Sequence, residues 1–143
     1  MAQRLVLATR NRAKLEELHR ILDAAGLDVE LLGADAFSDL PDVAETESSF
    51  AGNALLKARE IARVTGLPAV ADDSGLCVDA LNGMPGILSA RWAGRHGDDE
   101  ANLQLLLGQM SDIPDRRRTA AFRCAAAVAL PDGTERVVEG SME

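Results

Sequence analysis

The chain has 143 residues, of which 47% are hydrophobic and 27% charged, and this ordinary composition excludes disorder as its main state. Its 23 acidic residues outnumber the 15 lysines and arginines, and the net charge of −8 excludes broad nucleic-acid binding, which needs a basic surface. No apolar run approaches the ~20 residues of a membrane-spanning helix, so we expect no membrane partner.

The chain opens with a pattern of strand, helix and strand. Arg4–Ala8 is a short apolar run that ends in polar residues, which is typical of a buried strand. Leucines then recur at spacings of three and four over Arg12–Ala25, and this predicts a helix that Asn11 caps and Gly26 ends. Val29–Leu32 is predicted to be the second strand.

The middle of the chain continues the alternation. An acidic loop over residues 33–48 precedes a predicted helix over Phe50–Val64. Its predicted buried stripe consists of small and aliphatic residues at helical spacing: Ala54, Leu55, Ala58, Ile61 and Ala62. Ala69–Ala71 is predicted to be a strand that turns sharply at Gly75, after which Leu76–Ala80 extends again.

The last part is predicted to hold a helix and a hairpin. Asp98 caps the helix after an irregular, glycine-rich loop over residues 82–97. The residues predicted to form its core face are Leu103, Leu106, Leu107 and Met110. Thr119–Leu130 and Glu135–Glu139 are predicted strands joined by a turn at Pro131–Gly133. The order of elements predicts an α/β fold with a mixed, twisted sheet flanked by helices.

Cysteines and histidines are few. Cys77 and Cys124 both lie in apolar stretches, which predicts two reduced thiols in the core of a cytoplasmic protein. His19 and His96 lack cysteine or acidic partners at zinc-ligand spacing. We interpret His19 as an exposed helix residue, whereas His96, in the glycine-rich loop, faces either a ligand or solvent.

The first segment with chemical potential is Thr9-Arg10-Asn11-Arg12-Ala13-Lys14, between the first strand and helix. A helix start directs backbone N–H groups and the positive end of the helix dipole outward, which favours anions. The polar side chains and Lys14 predict a phosphate site. An ordinary capped helix with solvated basic residues is the equally good alternative for this segment alone.

The second segment is the carboxylate pair Asp72-Asp73, which follows a predicted strand and precedes Ser74-Gly75. Two carboxylates beside an apolar strand are costly unless cations or donors surround them. Neighbouring side chains on a strand point to opposite faces, so one carboxylate can serve structure and the other a metal or a water. The alternative is a common Asp-Ser-Gly turn.

A third, weaker signal lies around Glu45 and Lys57. Acidic residues before a helix are usually caps, and Glu45 alone is a weak metal ligand candidate. Lys57 and Lys14 are the only lysines among the 15 basic residues, which hints at contact with phosphate, although chance explains it equally well.

In this order the segments resemble the Ham1-like inosine triphosphate pyrophosphatases. The resemblance is carried by Leu7–Glu17, Glu45-Thr46 with Phe50, Asn53–Ala58, Ala71–Leu76, Val78-Asp79, Gly83–Gly86, Ser89–Arg91 and the helix that contains Asn102. The resemblance implies cleavage of non-standard purine nucleoside triphosphates (dITP, ITP, XTP) between the α- and β-phosphates, with Mg²⁺, by a homodimer.

The resemblance also implies roles for individual residues. Those implied to bind substrate are Thr9, Arg10, Asn11, Lys14, Lys57 and Ser74. Glu45 and Asp73 would hold Mg²⁺, Asp73 would also orient or deprotonate the attacking water, and Asp72 would support the site. Carboxylates suit Mg²⁺, and cationic groups stabilise the charge of a triphosphate under attack.

Members of that family continue beyond the point where this sequence stops, with a Phe-Gly-Tyr-Asp-Pro segment and a Ser-His-Arg motif that bind the purine. We therefore expect residues 1–143 to be a single α/β domain without its C-terminal base-recognition segment. Two alternatives stay open: a Maf-like nucleotide pyrophosphatase and a non-catalytic nucleotide-binding or dimerisation module.

Overall fold

A computed structural model describes residues 3–9, 11–37, 40 and 42–143. The described chain forms six strands and three α-helices. Their bounds are β1 Gln3–Leu7, α1 Arg12–Ala24, β2 Val29–Leu32, α2 Phe50–Thr65, β3 Ala69–Val78, β4 Met84–Pro85, α3 Asp99–Gln109, β5 Ala120–Ala129 and β6 Glu135–Met142. Short 3₁₀ turns cover Ala34–Ala36, Asp79–Leu81, Gly86–Arg91 and Asp115–Arg117. No helix in the described part of the chain is long and apolar enough to cross a membrane.

The strands form one mixed sheet in the order β2-β1-β3-β5-β6, and β4 pairs with β3 beside this path. β1 is parallel to both β2 and β3, whereas β3, β5 and β6 are antiparallel neighbours. The parallel pairs require crossover connections, which α1 and α2 provide. The predicted mixed sheet with flanking helices is therefore confirmed, with a longer last strand than the predicted Glu135–Glu139.

The main core lies between α2 and the central strands. Small side chains dominate it, so the helix can approach the sheet closely. Its buried members include Ala54, Ala58, Ile61 and Ala62 of α2, Ala69 and Ala71 of β3, and Ala125, Ala127 and Ala129 of β5. Leu55 is partly buried at its edge. The predicted stripe of α2 is thus confirmed, and it holds the first turns of this helix over the middle of β3.

Strand β3 is continuous through the Asp-Asp-Ser-Gly segment, so the sharp turn predicted at Gly75 is wrong. Gly75 pairs with Arg123 of β5 in the regular ladder. A Cβ atom at Gly75 would lie 2.3 Å from the carbonyl oxygen of Gly86 and 2.7 Å from Ser89 Oγ. Glycine is therefore needed because the Gly86–Arg91 turn packs directly on the strand, and not because the backbone bends there.

The core face of α3 is narrower than its leucine pattern predicts. Leu106 and Met110 are buried, as expected, and they pack with Val78. Leu103 and Leu107 are each 47% exposed, so their predicted place in the core is wrong. The helix contacts the rest of the molecule along one side only, and leucines that lie off that side remain in solvent.

The two cysteines differ in their environments. Cys77 is buried, as predicted, whereas Cys124 is exposed, so its prediction as a core thiol is wrong. Cys124 pairs with Ser74 in the sheet ladder, whereas its neighbour Ala125 is fully buried. Alternation along β5 therefore places the Cys124 side chain on the face of the sheet away from α2, which is less covered there.

Candidate active site

Two lysines and two acidic residues from distant parts of the sequence meet at β3. Lys14 Nζ of α1 lies 3.3 Å from Asp72 Oδ2. Lys57 Nζ of α2 donates a hydrogen bond of 2.6 Å to the backbone oxygen of Asp72, and it lies 3.5 Å from Glu45 Oε1. The segments around residues 14, 45–57 and 72–73 therefore share one site, which the sequence patterns only suggested.

The paired aspartates point to opposite faces of the sheet, as the alternation of a strand predicts. Asp72 faces Lys14 of α1, and Asp73 faces Asn53 of α2, whose Nδ2 donates a hydrogen bond of 3.2 Å to Asp73 Oδ2. Asn53 is fully buried, and its Oδ1 accepts a hydrogen bond of 2.9 Å from the backbone N–H of Glu47. Asn53 thus joins α2, β3 and the loop that carries Glu45.

The environment of Asp73 favours its protonated form. Burial raises its pKa to about 6, and the nearby negative charge of Glu45 acts in the same direction. Lys57 and the hydrogen bond from Asn53 oppose the shift only in part. A buried carboxyl with a pKa near neutrality, beside cationic groups, is suited to accept a proton from a bound water.

The pair Glu45 and Asp73 provides the oxygen ligands that Mg²⁺ prefers. Their mutual repulsion, which contributes to the raised pKa of Asp73, is what a divalent cation between them would relieve. No group of three or more acidic, histidine or cysteine side chains in the described ranges is arranged to hold a metal ion. The two carboxylates fit Mg²⁺, which commonly takes one or two carboxylates and completes its shell with water and substrate phosphates.

The predicted cap of α1 is confirmed. Asn11 Oδ1 accepts hydrogen bonds from the backbone N–H groups of Ala13, at 3.0 Å, and Lys14, at 3.4 Å. Thr9 Oγ1 accepts from the N–H of Asn11 at 3.1 Å. These backbone N–H groups are therefore already hydrogen-bonded within the turn. An anion at this helix start would be contacted mainly by side chains. Arg10 lies outside the described residues.

Ser74 lies on the other side of β3 from Asp73. It is exposed and pairs with Cys124 in the ladder. Because side chains alternate along a strand, Ser74 shares the face of Asp72 and Lys14. The structure therefore places Ser74 beside the Lys14 half of the site and away from the Glu45 half.

Two polar residues that the sequence patterns did not single out organise this site. Asn53 holds Asp73, and Arg91 Nη2 donates a hydrogen bond of 3.0 Å to the backbone oxygen of Glu45. Both stand inside motifs that carry the family resemblance. The signal that could have indicated Asn53 is a polar residue beside the apolar stripe of α2, one helical turn before Lys57.

A cleft of about 660 Å³ opens beside Lys57, within the range of small-molecule sites. Its polar lining consists of Thr9, Asp42, Lys57 and His96, and its apolar lining consists of Ala8, Ala34, Leu40, Val43 and Ile61. A smaller cleft of about 190 Å³ adjoins Glu45 and Arg91. The two clefts therefore leave room for a small molecule beside Lys57 and Glu45.

Comparison with known proteins identifies relatives along nearly the whole chain. The sequence profile of the Ham1 family matches residues 5–143. A dITP/XTP pyrophosphatase of Streptomyces coelicolor is 68% identical over 140 residues, which are 98% of this chain and 70% of the relative. A dITP/XTP pyrophosphatase of Nocardia farcinica is 57% identical over 138 residues, which are 96% of this chain and 67% of the relative.

Solved structures show the same fold. The nucleoside-triphosphatase / dITP/XTP pyrophosphatase from Mycobacterium abscessus is 56% identical and superposes with a TM-score of 0.87 over 97% of this chain and 70% of its own. The Ham1 protein of Staphylococcus aureus is 36% identical, with a TM-score of 0.86 over 98% of this chain and 70% of its own. Sequence and structure therefore agree on one set of relatives, and the Maf-like alternative is not favoured.

Proposed function

The chain belongs to the Ham1 family, and from this premise we propose that it hydrolyses non-standard purine nucleoside triphosphates such as dITP, ITP and XTP. The products are the nucleoside monophosphate and pyrophosphate. One observation carries the proposal: Lys14, Lys57, Glu45 and the Asp72-Asp73 pair converge on one site. A triphosphate needs cations along its length, and pyrophosphate release needs a positioned water beside them.

In this proposal, residues on both faces of β3 bind the phosphates. Thr9, Asn11 and Lys14 would contact the phosphates at the start of α1, and Lys57 would neutralise them from α2. Arg10 and Ser74 complete the proposed substrate contacts. Asp72 is a positioning residue, because its ion pair holds the Lys14 ammonium 3.3 Å from the carboxylate and so orients it before substrate arrives.

Glu45 and Asp73 are the proposed ligands of Mg²⁺. When bound, Mg²⁺ would supply Lewis-acid neutralisation of the phosphate oxygens. Arg91 fixes the backbone of Glu45, and Lys57 lies 3.5 Å from its carboxylate, so Glu45 is held on both sides. This support keeps the carboxylate near Asp73.

Asp73 is the proposed proton acceptor. A water placed by its carboxylate attacks the α-phosphorus, a new P–O bond forms, and the bond to the oxygen bridging the α- and β-phosphates breaks. The water proton passes to Asp73, and pyrophosphate departs. Asn53 donates to Asp73 Oδ2 and thereby fixes which way the carboxylate points.

The decisive measurement is pyrophosphate release from dITP, XTP and dGTP, with Mg²⁺ and with EDTA. We expect release from dITP and XTP with Mg²⁺ and loss of activity in EDTA, and the rate on dGTP measures how far this chain discriminates between bases. Asp73→Asn should reduce turnover of dITP by at least about 1,000-fold, because it removes the proton acceptor and one metal ligand.

Glu60→Gln is the matched control, since Glu60 lies on α2 one turn from Lys57 but pairs with Arg63 outside the site. Circular dichroism should show that both variants fold. Near-normal turnover by Asp73→Asn would remove Asp73 from the mechanism. Failure of the unaltered chain to release pyrophosphate from dITP or XTP would refute the proposed activity.

We further propose that residues 1–143 form one domain of a homodimer in the cytoplasm. The family resemblance supports the dimer, and the two free cysteines suit a reducing compartment. Light scattering of the purified chain checks the assembly, because a dimer has twice the monomer mass of 15.2 kDa. A monomeric mass over the working concentration range would contradict it.

A further inference from the structure

His96 occupies a position between the two clefts of the site. It lines the larger cleft together with Thr9 and Lys57, and it lines the smaller cleft together with Glu45 and Arg91. Val43 is the other residue common to both linings. A ligand that occupies both clefts therefore lies beside the imidazole.

The loop that carries His96 is held in place by hydrogen bonds. The N–H of Gly97 donates to the carbonyl oxygen of Ala90 at 2.9 Å, and the N–H of Gly94 donates to that of Arg91 at 2.8 Å. Gly94 and Gly97 have φ angles of 97° and 83°, a backbone region that side chains disfavour. The glycines thus allow the two tight turns on either side of His96.

Asn102 of α3 anchors the same loop from below. Its Oδ1 accepts a hydrogen bond of 2.7 Å from the N–H of Ala93, and its Nδ2 donates one of 3.0 Å to the carbonyl oxygen of Ala90. Asn102 is buried, so both bonds are partly shielded from water. The backbone on both sides of His96 is therefore fixed by the fold, while the imidazole itself is exposed, and a fixed backbone reduces the entropic cost of binding through this loop.

Three polar groups around the junction can donate hydrogen bonds. Thr9 contributes a hydroxyl, Lys57 an ammonium and Arg91 a guanidinium to the linings that His96 shares. Asp42 and Glu45 are the acidic members. An imidazole donates an N–H in its neutral form and two in its protonated form, so His96 can donate to an anion in either state.

We propose that His96 is a substrate-binding residue that donates a hydrogen bond to the phosphate tail of the nucleotide. This inference rests on the proposed function, since it names a further contact of the same site. His96 neither holds the metal nor accepts the reaction proton in this assignment. Its contribution is to binding, so its loss should raise KM and leave kcat nearly unchanged.

Proton NMR tests this contact directly, because the chain has two histidines and therefore two imidazole Cε1–H signals. His19→Gln assigns them: His19 lies on α1 and pairs with Asp23, away from both clefts. We expect inorganic triphosphate, added with Mg²⁺ at constant pH, to shift the His96 signal in a saturable manner and leave the His19 signal in place.

Three results of the titration would overturn the proposal: no shift of His96, equal shifts of both histidines, or a shift produced by deoxyinosine and not by inorganic triphosphate. The last would assign His96 to the sugar or base. Because inorganic triphosphate carries no base and need not be hydrolysed, this titration remains informative even if the chain fails to cleave dITP.

Kinetics gives the second readout. His96→Ala should raise KM for dITP about tenfold, the scale of one hydrogen bond to a charged group, with kcat within about twofold. His96→Asn, which retains an N–H donor, should recover part of the loss, and His19→Ala should behave like the unaltered chain. An unchanged KM in His96→Ala would overturn the proposal.

Discussion

Asp73 is the most buried ionisable side chain of the acidic and basic residues that the structure describes. Only 8% of its surface is exposed, and the other buried polar residues in the described part of the chain are the neutral Asn53 and Asn102. A buried carboxylate is costly unless its environment compensates, and the compensation from Lys57 and Asn53 is incomplete. A bound cation would offset the remaining repulsion between the carboxylates of Asp73 and Glu45, and this repulsion therefore favours cation binding.

The raised pKa of Asp73 predicts a pH dependence of stability in EDTA. The folded chain holds the Asp73 proton up to about pH 6, whereas an unfolded aspartate loses it near its ordinary value of 3.8. The folded state therefore binds more protons between these values, and its stability falls as pH rises through this window. Asp73→Asn should lose this component, so its melting temperature should decline less between about pH 4 and 6.5.

Asp132→Asn is the control for this measurement. Hydrogen bonds from Thr134 lower the pKa of Asp132. Its contribution to stability is therefore lost only as pH falls below 3.8, the ordinary pKa of an aspartate. Between about pH 5 and 6.5, the melting temperature of Asp132→Asn should change with pH as steeply as that of the unaltered chain. If the melting temperatures of Asp73→Asn and the unaltered chain changed equally with pH across that range, the pKa of Asp73 would not be raised.

At the scale of elements, the close packing of the Gly86–Arg91 turn on β3 predicts a strict requirement for glycine. Gly75→Ala would place a methyl group 2.3 Å from a backbone oxygen, which cannot move like a flexible side chain. We expect a loss of about 3 kcal/mol in the free energy of unfolding, at the upper end for overpacking. Urea denaturation followed by circular dichroism provides the measurement.

Gly108→Ala is the matched substitution, because Gly108 lies in α3 and a Cβ atom added there would meet nothing within 4 Å beyond the adjacent backbone of its own helix. Alanine favours a helix, so this variant should gain up to about 1 kcal/mol. Equal effects of the two substitutions would mean that the turn does not pack on β3 as closely as the structure shows.

The one-sided packing of α3 predicts unequal costs for its leucines. Leu106 is 9% exposed, and Leu106→Ala should cost about 3 kcal/mol through lost burial and a residual cavity. Leu103 is 47% exposed, so Leu103→Ala should cost less than about 1 kcal/mol. Urea titrations of both variants rank them, and a larger loss for Leu103→Ala would reverse the assigned face of the helix.

At the scale of the whole molecule, the site forms only when α1 and α2 are packed on the sheet. Lys14 and Asp72 are 58 positions apart in sequence, and their contact depends on the pairing of β1 with β3. A ligand that binds this assembled site binds the folded state alone and must stabilise it.

We therefore expect Mg²⁺ with a non-cleavable α,β-methylene analogue of dITP to raise the melting temperature. At a ligand concentration about 100 times its Kd, the gain is about 2.7 kcal/mol. Lys57→Ala should reduce the shift, whereas Arg63→Ala on the outer side of α2 should retain it. An identical melting temperature with and without the analogue would argue against a nucleotide site.

Short-range patterns were sufficient for much of this molecule. Asn11 was predicted as the cap of α1, the alanine stripe of α2 was predicted to be buried, and Asp72 and Asp73 were predicted to face opposite ways. Each of these follows from helix or strand periodicity over a few residues, which the local sequence encodes directly.

Tertiary packing decided the rest. Gly75 is required by a turn that packs on it from residues 86–89, Leu103 is exposed because α3 meets the core along one side, and Cys124 lies on a thinly covered face. The hydrogen bond from Asn53 to Asp73 and the place of His96 between two clefts likewise depend on segments far apart in sequence. Periodicity carries no information on which distant surfaces meet, so these features emerge only when the sheet assembles.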